Sequence, residues 1–304
     1  MKNMNIKETA KQTQISFKEK WQNNPGVAFK NTLDENSDIY NWILKRNGFE
    51  NNTEFKTYLS SFHRILDAGC GNGRVTALLR LLTDEKTTEI VGIDFSSWLV
   101  AKENLKEYNN IRIEQANLLE NLTHLGTFDF IYCQEVLHHT GNPYLSFSNL
   151  VSLLNPKGEI AIYVYKLKAP IREYTDDYIR DKISKMPYED AMRICDQITA
   201  FGKQLSNYDE EITIPALDIL EIPEGKYTIQ RIIYHFFMKC FWSNEMSFSD
   251  NSVVNYDWYH PQDCSRHKIE EVRQWFELQN LIITHECVDF YGITIRGKMK
   301  DIKV

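Results

Sequence analysis

Residues 65–74 read Ile-Leu-Asp-Ala-Gly-Cys-Gly-Asn-Gly-Arg. Ile65 and Leu66 open a buried strand, Gly69, Gly71 and Gly73 alternate through a turn, and Val75 to Leu82 carries helical apolar spacing. Glycine lacks Cβ, so a turn built from it closes tightly and lets a ligand approach the backbone. A strand that stops in such a turn and runs into a helix forms the nucleotide cradle at the edge of an α/β sheet. The same residues also suit a strand-to-helix turn with no ligand, so the downstream sequence has to decide.

From 63 to 165 the pattern alternates. Strands are expected near 63–68, 89–94, 111–115, 128–133 and 159–165, and helices near 74–83, 96–108 and 143–154. Short connections between alternating elements predict a parallel sheet covered on both faces. Residues 1–62 form a helical extension with apolar contacts from Trp21, Phe29, Tyr40, Trp42 and Ile43. Residues 166–266 break the alternation with helical patterns near 170–185, 188–205 and 226–242. A helix marked by Ile269, Val272, Trp275 and Phe276, then strands near 281–288 and 291–297, return to the sheet. The expected architecture is a doubly wound α/β core, 63–165 with 267–304, interrupted by a helical insert or lid at 166–266 after the fifth strand.

A chain of 304 residues buries such a core and still carries a second layer. Its formal charge of −7 argues against a phosphate-tracking nucleic-acid binder. No run approaches the roughly 18 apolar residues that span a bilayer. Six cysteines lack paired spacing, and the N-terminus lacks an apolar signal core, which predicts a cytoplasmic protein with reduced thiols.

Asp94 ends the second strand in Val91-Gly92-Ile93-Asp94-Phe95, about 20 residues past the glycine turn, where an acid accepts hydrogen bonds from ribose hydroxyls. Phe95 suits either the adenine face or ordinary core packing. With these residues in place the sequence resembles the class I S-adenosylmethionine-dependent methyltransferases, in particular a bacterial small-molecule subgroup. Leu66 to Gly73 resembles their first motif and Val91 to Asp94 their second. Phe128-Asp129-Phe130-Ile131 with Val136-Leu137-His138-His139 resembles the fourth, and Leu154-Asn155-Pro156-Lys157-Gly158-Glu159 the turn before the fifth strand. A dehydrogenase fingerprint would carry another glycine where Arg74 stands.

The resemblance implies a Rossmann-like methyltransferase sheet and S-adenosylmethionine as cofactor. It puts Gly69, Gly71 and Gly73 along the methionine end, Asp67 at the amino group and Asp94 on the ribose. Asn117, where many relatives have Asp, would hold the adenine amino group, the Leu118 amide would meet the ring, and Gln134 would face the methionine moiety. His138 and His139 are candidate bases beside the methyl position, or residues that only shape their loop. Tyr256, Tyr259, His260 and His267 lie in a segment resembling the loop before the last helix, as acceptor contacts or as a structural junction. His267 is also a candidate base. Lys268 stands where a capping Thr is common, which shifts the expected cap to Ser265 or His267. No metal is expected: His260, Cys264 and His267 lack a fourth ligand.

Arg231, His235 and Lys239 fall at i, i+4 and i+8 as a basic stripe. It reads as a solvated helix face or as an anchor for an anionic acceptor, and the aromatic face of the same helix is a candidate homodimer surface. The expected reaction is methyl transfer to a small molecule. Tyr132-Cys133-Gln134-Glu135 lacks the Asn/Asp-Pro-Pro-aromatic tetrapeptide of exocyclic-amine methylation, which favours an oxygen of a sugar or secondary metabolite. Nitrogen and carboxylate acceptors stay open, as does a non-catalytic partner that keeps the cofactor fold.

Overall fold

In the computed structural model, residues 6–300 are described; 1–5 and 301–304, the outer ends of the expected extension and core, lie outside them. The chain opens with α1 (Ile6–Asn23), α2 (Phe29–Leu33), α3 (Asp38–Arg46) and α4 (Asn52–Leu59). The alternating region gives β1 (Arg64–Ala68), α5 (Arg74–Leu81), β2 (Glu89–Asp94), α6 (Trp98–Asn104), β3 (Ile111–Gln115), β4 (Phe128–Gln134), α7 (Pro143–Val151) and β5 (Leu154–Tyr165). Next come α8 (Pro170–Ile183), α9 (Tyr188–Ser206), β6 (Glu211–Ile214), β7 (Gly225–Thr228), α10 (Ile229–Phe236) and α11 (Phe248–Tyr259). The chain closes with α12 (Ile269–Leu278), β8 (Leu281–Val288) and β9 (Gly292–Met299).

Two compact units share this chain. Residues up to Lys20 group with Leu167–Cys264, and Trp21–Lys166 group with the chain from Ser265 onward. The expected N-terminal extension is thus divided between them at Lys20.

The second unit holds a seven-stranded sheet in the order β3-β2-β1-β4-β5-β9-β8. β1 to β5 run parallel, and β9 is antiparallel to both β5 and β8. Period-two side chains divide its core. Leu66, Val91 and Ile131 face Phe147 of α7 and Val272 and Phe276 of α12, while Ile65, Ile90 and Phe130 face Ile43 of α3, Phe55 of α4 and Leu78 of α5. Caps set the helix starts: Ser37 Oγ accepts from Tyr40 N, Asn51 Oδ1 from Glu54 N, and Asn142 Oδ1 from Leu145 N with Pro143 following. β1 pairs with β2 on one side and β4 on the other, so the strand order reverses there, the place where doubly wound sheets bind ligands beyond the carboxyl ends of their strands. Lys166 and His267, where the chain leaves and rejoins this unit, pair as a parallel bridge.

The first unit packs α8–α11 with most of α1 and carries the β6–β7 hairpin, in which Glu211 pairs with Thr228. Two expectations change here. The helix expected over 226–242 is β7 followed by the shorter α10, capped by Thr228 Oγ1. The segment 256–260, expected as loop, is the last turn of α11 and its cap. Periodicity hides α11 because it is buried nearly all round, polar residues included. Asn251, Ser252 and Asn255 are fully buried, and Ser252 and Asn255 both bond Thr199 Oγ1.

Candidate functional site

The turn after β1 needs its glycines. Gly69, Gly71 and Gly73 have φ of +83°, +57° and +85°, the left-handed region that side chains disfavour. A Cβ on Gly69 would lie 2.3 Å from Val136 Cγ2, and one on Gly71 2.9 Å from Trp21 Cζ2. The segment between α1 and α2 braces the turn: buried Asn72 donates through Nδ2 to the carbonyls of Pro25 and Val27, both at 3.1 Å.

Asp94 ties this turn to the next strand. Its Oδ2 accepts from Gly71 N at 3.1 Å, and its Oδ1 accepts from Ser96 N and Ser97 N at 2.8 and 2.7 Å. Burial pushes its carboxyl up, and the N–H groups of Ser97, Ser96 and Gly71 pull it back. A carboxylate offers about four acceptor sites, so Oδ2 keeps capacity for a further donor. Asp67 lies beneath the turn, buried, accepting from Thr76 Oγ1 at 2.6 Å. Burial raises its carboxyl to about 6 against the lowering effects of Thr76 and Arg74.

Phe95 is exposed rather than packed in the core, at 37%. Asn117 makes an Asx turn with Leu119 N and reaches Glu120 through Nδ2. Leu118 is buried and its carbonyl accepts from Asn149 Nδ2, whereas its own N–H has no partner among the described residues. A buried amide without a partner is a place for a ligand acceptor. Gln134 pairs its side-chain amide with that of Asn47 and accepts from Tyr132 OH at 2.7 Å.

Beside Gln134 lies a group that the sequence reading missed. Glu135 sits at φ +67° and bonds Arg74 Nη2 at 2.9 Å and Arg46 Nη1 at 3.4 Å. Arg46 is buried, with its guanidinium 3.8 Å from the Trp42 ring centre and 4.7 Å from that of Tyr163. Strain in a non-glycine residue directly after a sheet strand marks a position fixed by its surroundings. Arg74 was visible in the sequence as the residue in place of another glycine; its partnership with Glu135 was not.

The candidate bases fall into one connected group. His138 is buried, its ring 3.7 Å from that of Tyr165 and 4.3 Å from that of His139. Its carbonyl accepts from Ser265 N at 2.9 Å and Ser265 Oγ at 3.2 Å. Ser265 Oγ lies 2.9 Å from His267 Nε2, and His267 Nδ1 lies 3.0 Å from Glu271 Oε1. The cap of α12 is therefore neither Ser265 nor His267. Lys268 takes that position without a side-chain bond, because His267 spends its Nδ1 on the Glu271 side chain and Ser265 faces His138.

In the other unit the expected acceptor groups have internal partners. Tyr259 OH donates to Asp176 Oδ1 at 2.7 Å, and His260 lies 2.9 Å from Ser16 Oγ and 3.1 Å from Met186 O, stacked on buried Tyr256. Burial lowers the His260 imidazole. Arg231 is partly exposed, and no hydrogen bond reaches its guanidinium among the described residues.

Residues 59–231 match the family model of a methyltransferase domain. The chain belongs to the class I S-adenosylmethionine-dependent methyltransferases. Ubiquinone biosynthesis O-methyltransferase of Psychrobacter arcticus is 27% identical over 255 residues, 78% of this chain and 87% of that protein. An uncharacterized protein of Synechococcus, syc1184_c, is 35% identical over 105 residues, 34% of this chain; the match spans only 25% of its own length. Among solved structures, PKMT2 from Rickettsia typhi in complex with AdoHcy has the same fold, with a TM-score of 0.52 at 15% identity over 83% of this chain and 53% of that one. The methyltransferase cofactor fits the residues present. Asp94 Oδ2 keeps acceptor capacity beside the glycine turn, and the Leu118 N–H has no partner among the described residues.

Proposed function

We propose that this chain transfers the methyl group of S-adenosylmethionine to an oxygen of a small molecule, a sugar or secondary metabolite. The observation that carries the cofactor half is the bond from Gly71 N to Asp94 Oδ2, which makes the turn and the acid one cradle. In this reading Asp94 takes a ribose hydroxyl, Phe95 covers the adenine, and Asn117 with the Leu118 N–H meets the adenine edge. Asp67 and Gln134 face the methionine end, where Arg46 and Arg74 add positive charge for its carboxylate. The sulfonium supplies an already activated methyl, so the protein's part is to hold an acceptor in line and take its proton.

His138, His139 and His267 are the groups offered for that proton. His267 is the best oriented, its ring held between Glu271 Oε1 at Nδ1 and Ser265 Oγ at Nε2. The oxygen acceptor is supported by the residues after β4, which lack the Pro-Pro-aromatic pattern, and by the relative matched over 87% of its length, an O-methyltransferase by name. A cytoplasmic setting is part of the proposal, in keeping with six cysteines that form no disulfide among the described residues. No described helix is long and apolar enough to cross a membrane.

The test is to incubate the chain with S-adenosylmethionine and a panel of hydroxyl, amine and carboxylate acceptors, follow S-adenosylhomocysteine release, and locate the methyl by mass spectrometry. An O-methyl ether is the expected product. An N-methyl or methyl-ester product would overturn the acceptor assignment, and cofactor binding without turnover on any acceptor would favour the non-catalytic reading.

A further inference from the structure

The helical unit gathers cations in its interior. Arg172 of α8 is buried, and so are Lys168, His235 and Lys239. The Trp258 ring centre lies 5.3 Å from the Arg172 guanidinium, 5.1 Å from Lys239 Nζ and 5.7 Å from Lys168 Nζ. The Arg172 and Arg231 guanidinium carbons lie 4.9 and 5.6 Å from the ring centre of Tyr234. α10 ends at Phe236, so Lys239 does not continue the stripe expected from the sequence. Instead it enters the same neighbourhood from the following turn.

Asp176 is the buried acid among them, and it is saturated. Its two oxygens accept from Arg172 Nε, Trp258 Nε1, Tyr259 OH and Lys239 N, at 3.1, 2.8, 2.7 and 2.9 Å. Asp176, with Asp257 acting on Lys239, sets two carboxylates against Arg172, Arg231 and Lys239, which leaves a positive surplus. Among the described residues no hydrogen bond reaches either Nη of Arg172, or any guanidinium nitrogen of Arg231. Burying a guanidinium with open donors costs free energy unless a counter-charge arrives. The surplus is visible in the neighbours. Burial, with the charges of Arg172, Arg231 and Lys168, holds the His235 imidazole down at about 3, and burial lowers the Lys239 ammonium to about 8.

We infer that this unit contains a binding site for a small oxyanion, the carboxylate or phosphate group of a metabolite, held by the open donors of Arg172 and Arg231 around Tyr234. Asp176 orients Arg172 through Nε and leaves its Nη pair for the ligand, the fork geometry that suits either group. Neutral His235 adds no charge of its own. The inference does not depend on methyl transfer, and its test uses none.

The experiment titrates the full-length chain, in buffer of constant ionic strength, with sodium phosphate, sodium succinate or sodium chloride, following Tm and calorimetric heat. A saturable rise in Tm with phosphate or succinate, absent with chloride, is expected; the better of the two identifies the group. Arg231→Gln should weaken that affinity by about tenfold or more and keep the wild-type Tm without anion, since no hydrogen bond reaches its guanidinium among the described residues. Arg172→Lys, which keeps a charge near Asp176 but removes the fork, should also weaken it. Equal effects of all three salts, or wild-type affinity in both variants, would overturn the site.

Discussion

Gly71 donates its backbone N–H to Asp94 Oδ2 at 3.1 Å, so the turn that follows β1 and the acid that ends β2 form one structural piece. The other oxygen of Asp94, Oδ1, accepts from the amides of Ser96 and Ser97 just before α6. Any change at Asp94 is therefore read by both loops.

Asp94→Ala should weaken S-adenosylhomocysteine binding by about 1–3 kcal/mol, the scale for losing a charged hydrogen bond. Calorimetry on wild type and variant measures it directly. Affinity equal to wild type would place Asp94 outside the cofactor site.

Gly69→Ala meets two separate penalties. The left-handed φ costs an L-residue roughly 1–2 kcal/mol, and the new Cβ would stand 2.3 Å from Val136 Cγ2. In urea denaturation, adding Val136→Ala should recover the clash but not the backbone strain. Complete recovery by the double variant would mean that the turn tolerates a side chain at this φ.

Asp67 gives the chain a pH signature. Its folded carboxyl sits at about 6, above the ordinary 3.8, so the native state holds an extra proton between those values and loses stability as pH rises through them. Asp67→Asn keeps an oxygen for Thr76 and does not titrate. Relative to wild type it should gain roughly 1–3 kcal/mol between pH 4 and pH 7, at about 1.4 kcal/mol per pKa unit. Parallel stability curves for the two proteins would contradict a raised Asp67.

The three histidines separate by packing. His138→Ala removes a buried ring from against Tyr165 and should cost about 2–4 kcal/mol of stability whatever its chemistry. His139→Ala and His267→Ala, assayed at saturating S-adenosylmethionine, should keep cofactor affinity, and the one that serves as base should lose turnover. If Glu271→Gln lowers kcat together with His267→Ala, the proton passes through His267; unaffected turnover in both would leave that imidazole a purely structural link.

The sheet was legible because its central strands are buried on both faces and bounded by turns, so Ile65-Leu66, Ile90-Val91 and Phe130-Ile131 announce themselves by composition. The glycine turn and Asp94 were legible for a local reason: both lie within one β-α-β unit. Arg46, Asn47 and Glu135 were not, because their bonds join α3 to the end of β4 across about 90 residues of sequence and no spacing rule covers them. α11 escaped because its buried asparagines and serine, of which Asn255 and Ser252 pair with Thr199, look like a solvated loop when only hydropathy is read. The basic stripe of Arg231, His235 and Lys239 was seen as a helix pattern, but the most buried cation beside it, Arg172, comes from a helix some 60 residues earlier.

Lys166 and His267 are bridge partners, so α8 to α11 leave the sheet unit and come back at a single point. Such a seam is a natural place for recombination: an interposed segment with neighbouring ends can be traded for another without re-threading the sheet. The trade would have to include the opening helix, whose residues up to Lys20 group with that segment. A lineage can therefore keep its strand scaffold while the interposed helices diversify on their own evolutionary clock.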